Sequence, residues 1–78
     1  METYKITKDE LYFANRGIEA KHPLMVKQWF DYFKPKSVLD LGAGRGVYLV
    51  FWQWFVKETW GIELSQYAID TALCPFIQ

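Results

Sequence analysis

The sequence predicts a small α/β fold: two N-terminal helices, then a β-α-β-α unit with a parallel strand pair. Three observations carry that expectation. Two apolar runs of strand length, Ser37 to Leu41 and Glu58 to Glu63, flank a segment long enough for a helix. A glycine-rich turn at 42–46 stops the first run and opens that segment. Upstream, Val26, Trp29, Phe30 and Phe33 recur at the i, i+3, i+4, i+7 spacing of one helix face.

Met1 to Ile6 has no periodicity and reads as a loose arm. Thr7-Lys8-Asp9-Glu10 fits a capping box, in which a hydroxyl and a carboxylate satisfy orphan amides reciprocally. A helix is expected from there to Asn15, stopping at Arg16-Gly17. His22-Pro23 opens the second helix, because proline's missing amide costs nothing at the first helical position, and Pro35 ends it. The four apolar residues at helical spacing are its expected buried face. These elements make up residues 1–36.

Residues 37–78 form the expected β-α-β-α unit, continuous with the first part. Ser37 to Leu41 reads as a strand buried on both faces. Val47 to Phe55 reads as a helix that is apolar almost all round and so covered on both sides. The next strand carries Thr59, Trp60 and Ile62. Ser65 caps a last helix whose apolar face is Ile69, Ala72, Leu73 and Phe76, with Pro75 near its end. Parallel strands need a crossover, and the segment between these two is the right length for one.

Composition narrows the function classes. The chain has 78 residues, 51% hydrophobic and 19% aromatic, which argues against disorder. Nine basic and nine acidic residues cancel, removing the usual electrostatic case for a nucleic-acid or anionic-membrane partner. The apolar run Val47 to Val56 is far short of the roughly 20 residues that span a bilayer. A single cysteine, Cys74, makes no internal disulfide, and a reducing cytoplasmic setting is the expectation.

The chemistry is concentrated in Asp40-Leu41-Gly42-Ala43-Gly44-Arg45-Gly46, followed by Gly61-Ile62-Glu63-Leu64-Ser65. The glycines permit a tight turn and let a ligand approach bare backbone. Glu63 falls at the end of the second strand, 17 residues beyond Gly46, where a carboxylate can accept both hydroxyls of a ribose. An adenosine-containing ligand is the expectation. A dinucleotide would bring a pyrophosphate, which the Asp40 carboxylate would repel. A ligand carrying an ammonium and a sulfonium would instead be attracted.

The pattern D-x-G-x-G-x-G after one strand and G-x-E-x-S at the end of the next resembles class I S-adenosylmethionine-dependent methyltransferases. The resemblance runs from about Ser37 to Leu73 and covers the N-terminal, cofactor-binding part of that Rossmann-like fold. It implies that Asp40 supports the glycine loop and the methionine end of the cofactor. It also implies that Gly42, Ala43, Gly44 and Gly46 lie along the cofactor-binding loop, Glu63 binds the ribose and Leu64 packs near adenine. Tyr12 and Arg16 would reach the methionine carboxylate, as residues of N-terminal helices do in some relatives. The implied activity is methyl transfer, with S-adenosylhomocysteine as product. The matching stretch carries no general base, the acceptor is unassigned, and the chain ends at Gln78 where a third strand is expected. A truncated methyltransferase domain without a complete active site is therefore the first reading.

A non-catalytic half-domain is the second. Tyr48, Phe51, Trp52, Trp54 and Phe55 crowd one short segment, and a second copy or another chain is expected to cover Trp52, Trp54 and Phe55. A dinucleotide-binding fragment is the third, disfavoured by Asp40 and the glycine spacing. The other notable residues have plainer readings. Arg45 is expected to be solvated and His22 to open a helix without binding metal. Cys74 is an apolar filler on the last helix, and Lys21, Lys27, Lys34 and Lys36 form a solvated face around Asp31.

Overall fold

The computed structural model describes residues 8–14 and 16–78. The expectations for Met1 to Ile6, for Thr7 as a cap and for Asn15 as a helix end lie outside the described residues. The elements run α1 (Lys8–Ala14), α2 (Lys21–Phe33), β1 (Ser37–Leu41), α3 (Val47–Trp52), β2 (Glu58–Ile62) and α4 (Gln66–Asp70). The described residues thus form a mixed α/β structure with four helices and a parallel two-stranded sheet, in the order expected. Ser37 pairs with Glu58, and the register continues to Leu41 opposite Ile62. None of these helices is long and apolar enough to cross a membrane.

An imidazole closes the turn that leads into α2. The His22 N–H donates to the Glu19 carbonyl at 3.1 Å, and the Glu19 N–H donates back to His22 Nδ1 at 2.8 Å. His22 is buried edge-on against Tyr48, with ring centroids 4.8 Å apart. Val26 is fully buried, and Trp29 and Phe30 pack beside it. Phe33 does not join them and is 67% exposed. α2 has 13 residues and α3, the helix it packs on, has six, so the last turn of α2 overhangs. Lys34 closes that turn in a left-handed conformation, its N–H donating to the Phe30 carbonyl. The lysine face is solvated, with Lys27 and Asp31 paired at 2.8 Å on the outside of the helix.

α3 stops at Trp52 and does not continue to Phe55. The Trp54 and Phe55 amides donate to carbonyls three residues back, tightening the chain so that Val56 turns inward and is buried. Leu49, Phe51 and Trp52 are buried. Trp52 lies parallel to Trp29, with centroids 6.3 Å apart, so it is not an uncovered residue awaiting a partner. Phe55 is partly covered by stacking on Phe30, and Trp54 is 67% exposed.

The strands are buried on one face only, contrary to the two-sided burial expected. Val38, Asp40, Thr59 and Gly61 share a face with Leu49 of α3 against it, while Leu39, Leu41, Trp60 and Ile62 on the opposite face are exposed. Gly61 is required by this packing, since a Cβ there would lie 2.5 Å from Leu49 Cδ1 and 2.9 Å from Ala43 Cβ.

α4 also ends earlier than expected, at Asp70. The Thr71 hydroxyl and amide both donate to the Tyr67 carbonyl, and Pro75 disfavours a helical Cys74. The chain after α4 instead pairs with the free edge of β2. Gly61 N–H donates to the Phe76 carbonyl, Gln78 N–H to the Gly61 carbonyl and Glu63 N–H to the Gln78 carbonyl, in a parallel bridge. Ile77 and Cys74 are thereby drawn into the same core as Val26 and Leu49, with Cys74 on this returning segment and not on a helix.

Candidate functional site

The loop between β1 and α3 is tied down by backbone bonds from both sides. The Gly42 and Ala43 amides donate to the Ile62 carbonyl at 2.8 and 3.1 Å, holding the turn against the end of β2. The Gly44 amide donates to Glu63 Oε1 at 2.7 Å. The other carboxylate oxygen, Oε2, accepts the Ser65 amide at 2.8 Å. Ser65 in turn caps α4 by accepting the Ala68 amide. Glu63 therefore clamps the glycine loop to the β2–α4 turn. A carboxylate offers about four acceptor positions, so two bonds leave room for further donors.

Arg45 is not solvated as expected. Its Nε donates to the Thr71 carbonyl at 3.0 Å and its own carbonyl accepts the Leu73 amide at 2.8 Å, stitching the loop to the chain beyond α4. Gly46 adopts φ +86°, and a Cβ there would lie 2.5 Å from Ile77 Cδ1 and 2.9 Å from Cys74 Sγ. The third glycine thus meets a packing demand at the base of α3.

Above this loop lie two adjoining cavities. One, of about 140 Å³, is lined by Tyr12, Phe13, Arg16 and the loop residues Gly42, Ala43, Gly44 and Arg45, with Val47. The second, of about 400 Å³, is lined by Tyr12, Phe13, Glu63, Leu64 and Ser65. Tyr12 and Phe13 belong to both and pack edge to face. The Arg16 guanidinium sits 3.5 Å over the Tyr12 ring and donates to the Tyr12 carbonyl. Leu64 is 97% exposed at the rim, with its side chain open to whatever enters.

Seven of the nine residues singled out from the sequence line these cavities: Tyr12, Arg16, Gly42, Ala43, Gly44, Glu63 and Leu64. Gly46 and Asp40 line neither. Sequence reasoning missed Phe13, whose ring lies against Gly44 and which lines both spaces. Its signal was available, an aromatic beside Tyr12 and one turn from Arg16. Among the described residues, no group of three or more His, Cys, Asp or Glu could hold a metal ion. Burial raises the Cys74 thiol pKa, the opposite of what a nucleophile needs.

Asp40 follows the pleat of β1 away from the loop and toward α2 and α3, where it lines a third cavity with Trp29, Tyr48 and Trp52. Burial raises its pKa, and the nearby Glu63 charge raises it further. The folded state then binds the Asp40 proton more tightly than the unfolded chain, so this group's contribution to stability falls as pH rises through that interval. Asp40→Asn is expected to raise the thermal midpoint at pH 7. The advantage should fade as pH falls and vanish below about 3.9, where the unfolded carboxylate is protonated too. Melting curves from pH 3 to 7 test this, and a variant no more stable than the parent at pH 7 contradicts it.

In comparisons with known proteins, no family model, no curated protein and no solved structure matches this chain.

Proposed function

We propose that this chain binds S-adenosylmethionine across the two adjoining cavities, as a Rossmann-like, methyltransferase-type cofactor module. The observation that carries the reading is the Glu63 clamp. A glycine loop after one parallel strand is hydrogen-bonded at 2.7 Å to a carboxylate at the end of the next, with cavities opening on both. The residues fit the ligand's chemistry group by group. Arg16 offers a cation for the methionine carboxylate, and Glu63 has acceptor positions left for ribose hydroxyls. Tyr12, Phe13 and the exposed Leu64 offer apolar surface for adenine.

When bound, S-adenosylmethionine supplies an activated methyl group for in-line transfer to a nucleophile. This chain's part is to bind and orient, which supplies much of the acceleration in such reactions. Among the described residues lining the cavities the one acid, Glu63, is engaged by two backbone amides, which leaves the general-base function to the acceptor's own nucleophile or a completing segment. A cytoplasmic location fits a lone, buried, reduced thiol. Backbone amide resonances give the test. S-adenosylhomocysteine should shift those of Gly42, Gly44, Glu63 and Leu64 and leave those of α2 in place. Shifts confined to other segments would remove the proposed site.

A second reading is favoured by one observation, the exposed apolar sheet face of Leu39, Leu41, Trp60 and Ile62. Parallel sheets are ordinarily covered on both faces. A second copy of the chain laid on this face would supply the cover and make the protein an obligate dimer. Its thermal midpoint would then rise with protein concentration. A midpoint unchanged over a hundredfold dilution would exclude that assembly.

A further inference from the structure

The cavity beside β1, toward α2 and α3, has a composition that the reading above does not use. It measures about 240 Å³ and is lined by Val38, Leu39 and Asp40 of β1, Trp29 of α2, and Tyr48 and Trp52 of α3. Three aromatic residues line it, Trp29 and Tyr48 half-buried and Trp52 more deeply covered. Trp29 lies 5.4 Å from Tyr48 and 6.3 Å from Trp52, centroid to centroid. Tyr48 is held from behind by the edge-on His22 ring. None of these residues lines either cavity at the glycine loop.

Asp40 supplies the asymmetry. Glu63, the acid nearest it in the fold's electrostatics, accepts two backbone amides, whereas among the described residues no donor is bonded to the Asp40 carboxylate. The Asp40 oxygens are not shut off from water, and a half-buried carboxylate that shares a cavity with aromatic side chains and has no cation beside it leaves a place for one. Four ligand classes can be weighed against that composition. An anion is repelled. A neutral apolar molecule would desolvate the carboxylate further and give it nothing in return. A divalent metal finds one carboxylate and no second or third ligand. An organic cation satisfies both parts of the wall, its charge facing Asp40 and its surface lying on ring faces that carry negative quadrupole density.

We infer that the Trp29–Tyr48–Trp52–Asp40 cavity is a binding site for a small methylated ammonium, of the size and chemistry of a choline head group. Methylation matters because the rings offer no strong acceptors. A primary ammonium would have to aim its three N–H donors at the Asp40 carboxylate and the Tyr48 hydroxyl and turn away from the rings, whereas methyl groups rest on the rings and need no acceptor. The volume is below the roughly 300 Å³ at which pockets for drug-sized ligands begin, which favours a head group over a larger molecule.

The test is a titration of the whole chain with choline, read at the indole N–H resonances of Trp29 and Trp52. The control is 3,3-dimethylbutan-1-ol, which has the same shape without the charge. Choline should shift both indoles saturably, and the neutral alcohol should bind at least about tenfold more weakly, since it lacks the cation–π and charge–charge parts. Asp40→Asn, an isosteric change that leaves the chain folded, should weaken choline by a similar factor. Saturating S-adenosylhomocysteine should leave choline binding unchanged, because the two sites share no lining residue. Equal binding of choline and the neutral alcohol overturns the proposal. So does an unchanged affinity in Asp40→Asn, silence at both indoles, or displacement of choline by S-adenosylhomocysteine. Failure here leaves the glycine-loop reading intact, since that site is probed separately by the Gly44 and Glu63 amides.

Discussion

Replacing Gly46 with alanine is expected to lower the stability of the chain by about 2–5 kcal/mol. Two costs add. Holding an L-residue in the left-handed region at φ +86° costs about 1–2 kcal/mol. The new methyl group would also lie 2.5 Å from Ile77 Cδ1 and 2.9 Å from Cys74 Sγ. Both residues are buried, so neither yields freely, and overpacking of this kind costs about 1–3 kcal/mol. A chain of this length is stabilised by about 4–12 kcal/mol in all, so the variant could lose half of it. Ile77 is also the residue that bridges to β2, so the damage should spread to the end of the sheet. Urea unfolding measures the loss, with Gly17→Ala as the control because no atom lies within 4 Å of the Cβ it would add. A Gly46→Ala variant within about 0.5 kcal/mol of the parent, the range of ordinary surface substitutions, would show that the helix base is not packed as described.

The second large effect is expected from Glu63→Ala. From the sequence alone this change should abolish binding of an adenosine ligand and leave the fold largely intact. The clamp alters the second half of that expectation. The substitution removes the acceptor for two backbone amides, Gly44 at 2.7 Å and Ser65 at 2.8 Å. Hydrogen bonds to a charged acceptor contribute about 1.5–3 kcal/mol each, and the half-exposed setting lets water replace part of that. A net loss of about 1–3 kcal/mol is expected, together with at least a hundredfold loss of affinity for S-adenosylmethionine, equivalent to about 2.7 kcal/mol. Glu63→Gln separates the two roles. Its amide oxygen can still accept one of the two backbone N–H groups, but its NH2 then meets the other donor, so only part of the stability should return, and the charge that favours the ribose hydroxyls does not. A glutamine variant that binds as tightly as the parent would make the clamp purely structural.

The crossover and its loop were legible in the sequence because they depend on local signals. Glycine spacing, an apolar run of five residues and a capping serine each act over a few positions, and β1, the start of α3, β2 and the Ser65 cap lie where those signals put them. What was not legible depends on partners distant in sequence. Phe33 fits the helix face by spacing, yet α3 is too short to reach it. The residues after Asp70 keep a helical apolar pattern, but the bond from Leu73 to the Arg45 carbonyl and the open edge of β2 draw them into turns that end in a bridge at Ile77. Exposure of the outer sheet face follows from which layers pack on it, which no local window contains. Asp40 is the instructive case in the candidate site. Strand alternation already puts it on the face of Val38, toward the helices, while the motif's spacing drew attention to the loop. The Glu63 clamp joins residues 19 apart and could not be read from either motif alone.

The glycine loop and Glu63 are proposed together as the site for S-adenosylmethionine. Calorimetric titration of the folded chain with that ligand, and with NAD as the control, tests it most directly. Saturable one-to-one binding of S-adenosylmethionine and no heat from NAD are expected. Silence toward both from a protein with a cooperative melting transition, or equal binding of the two, would contradict it.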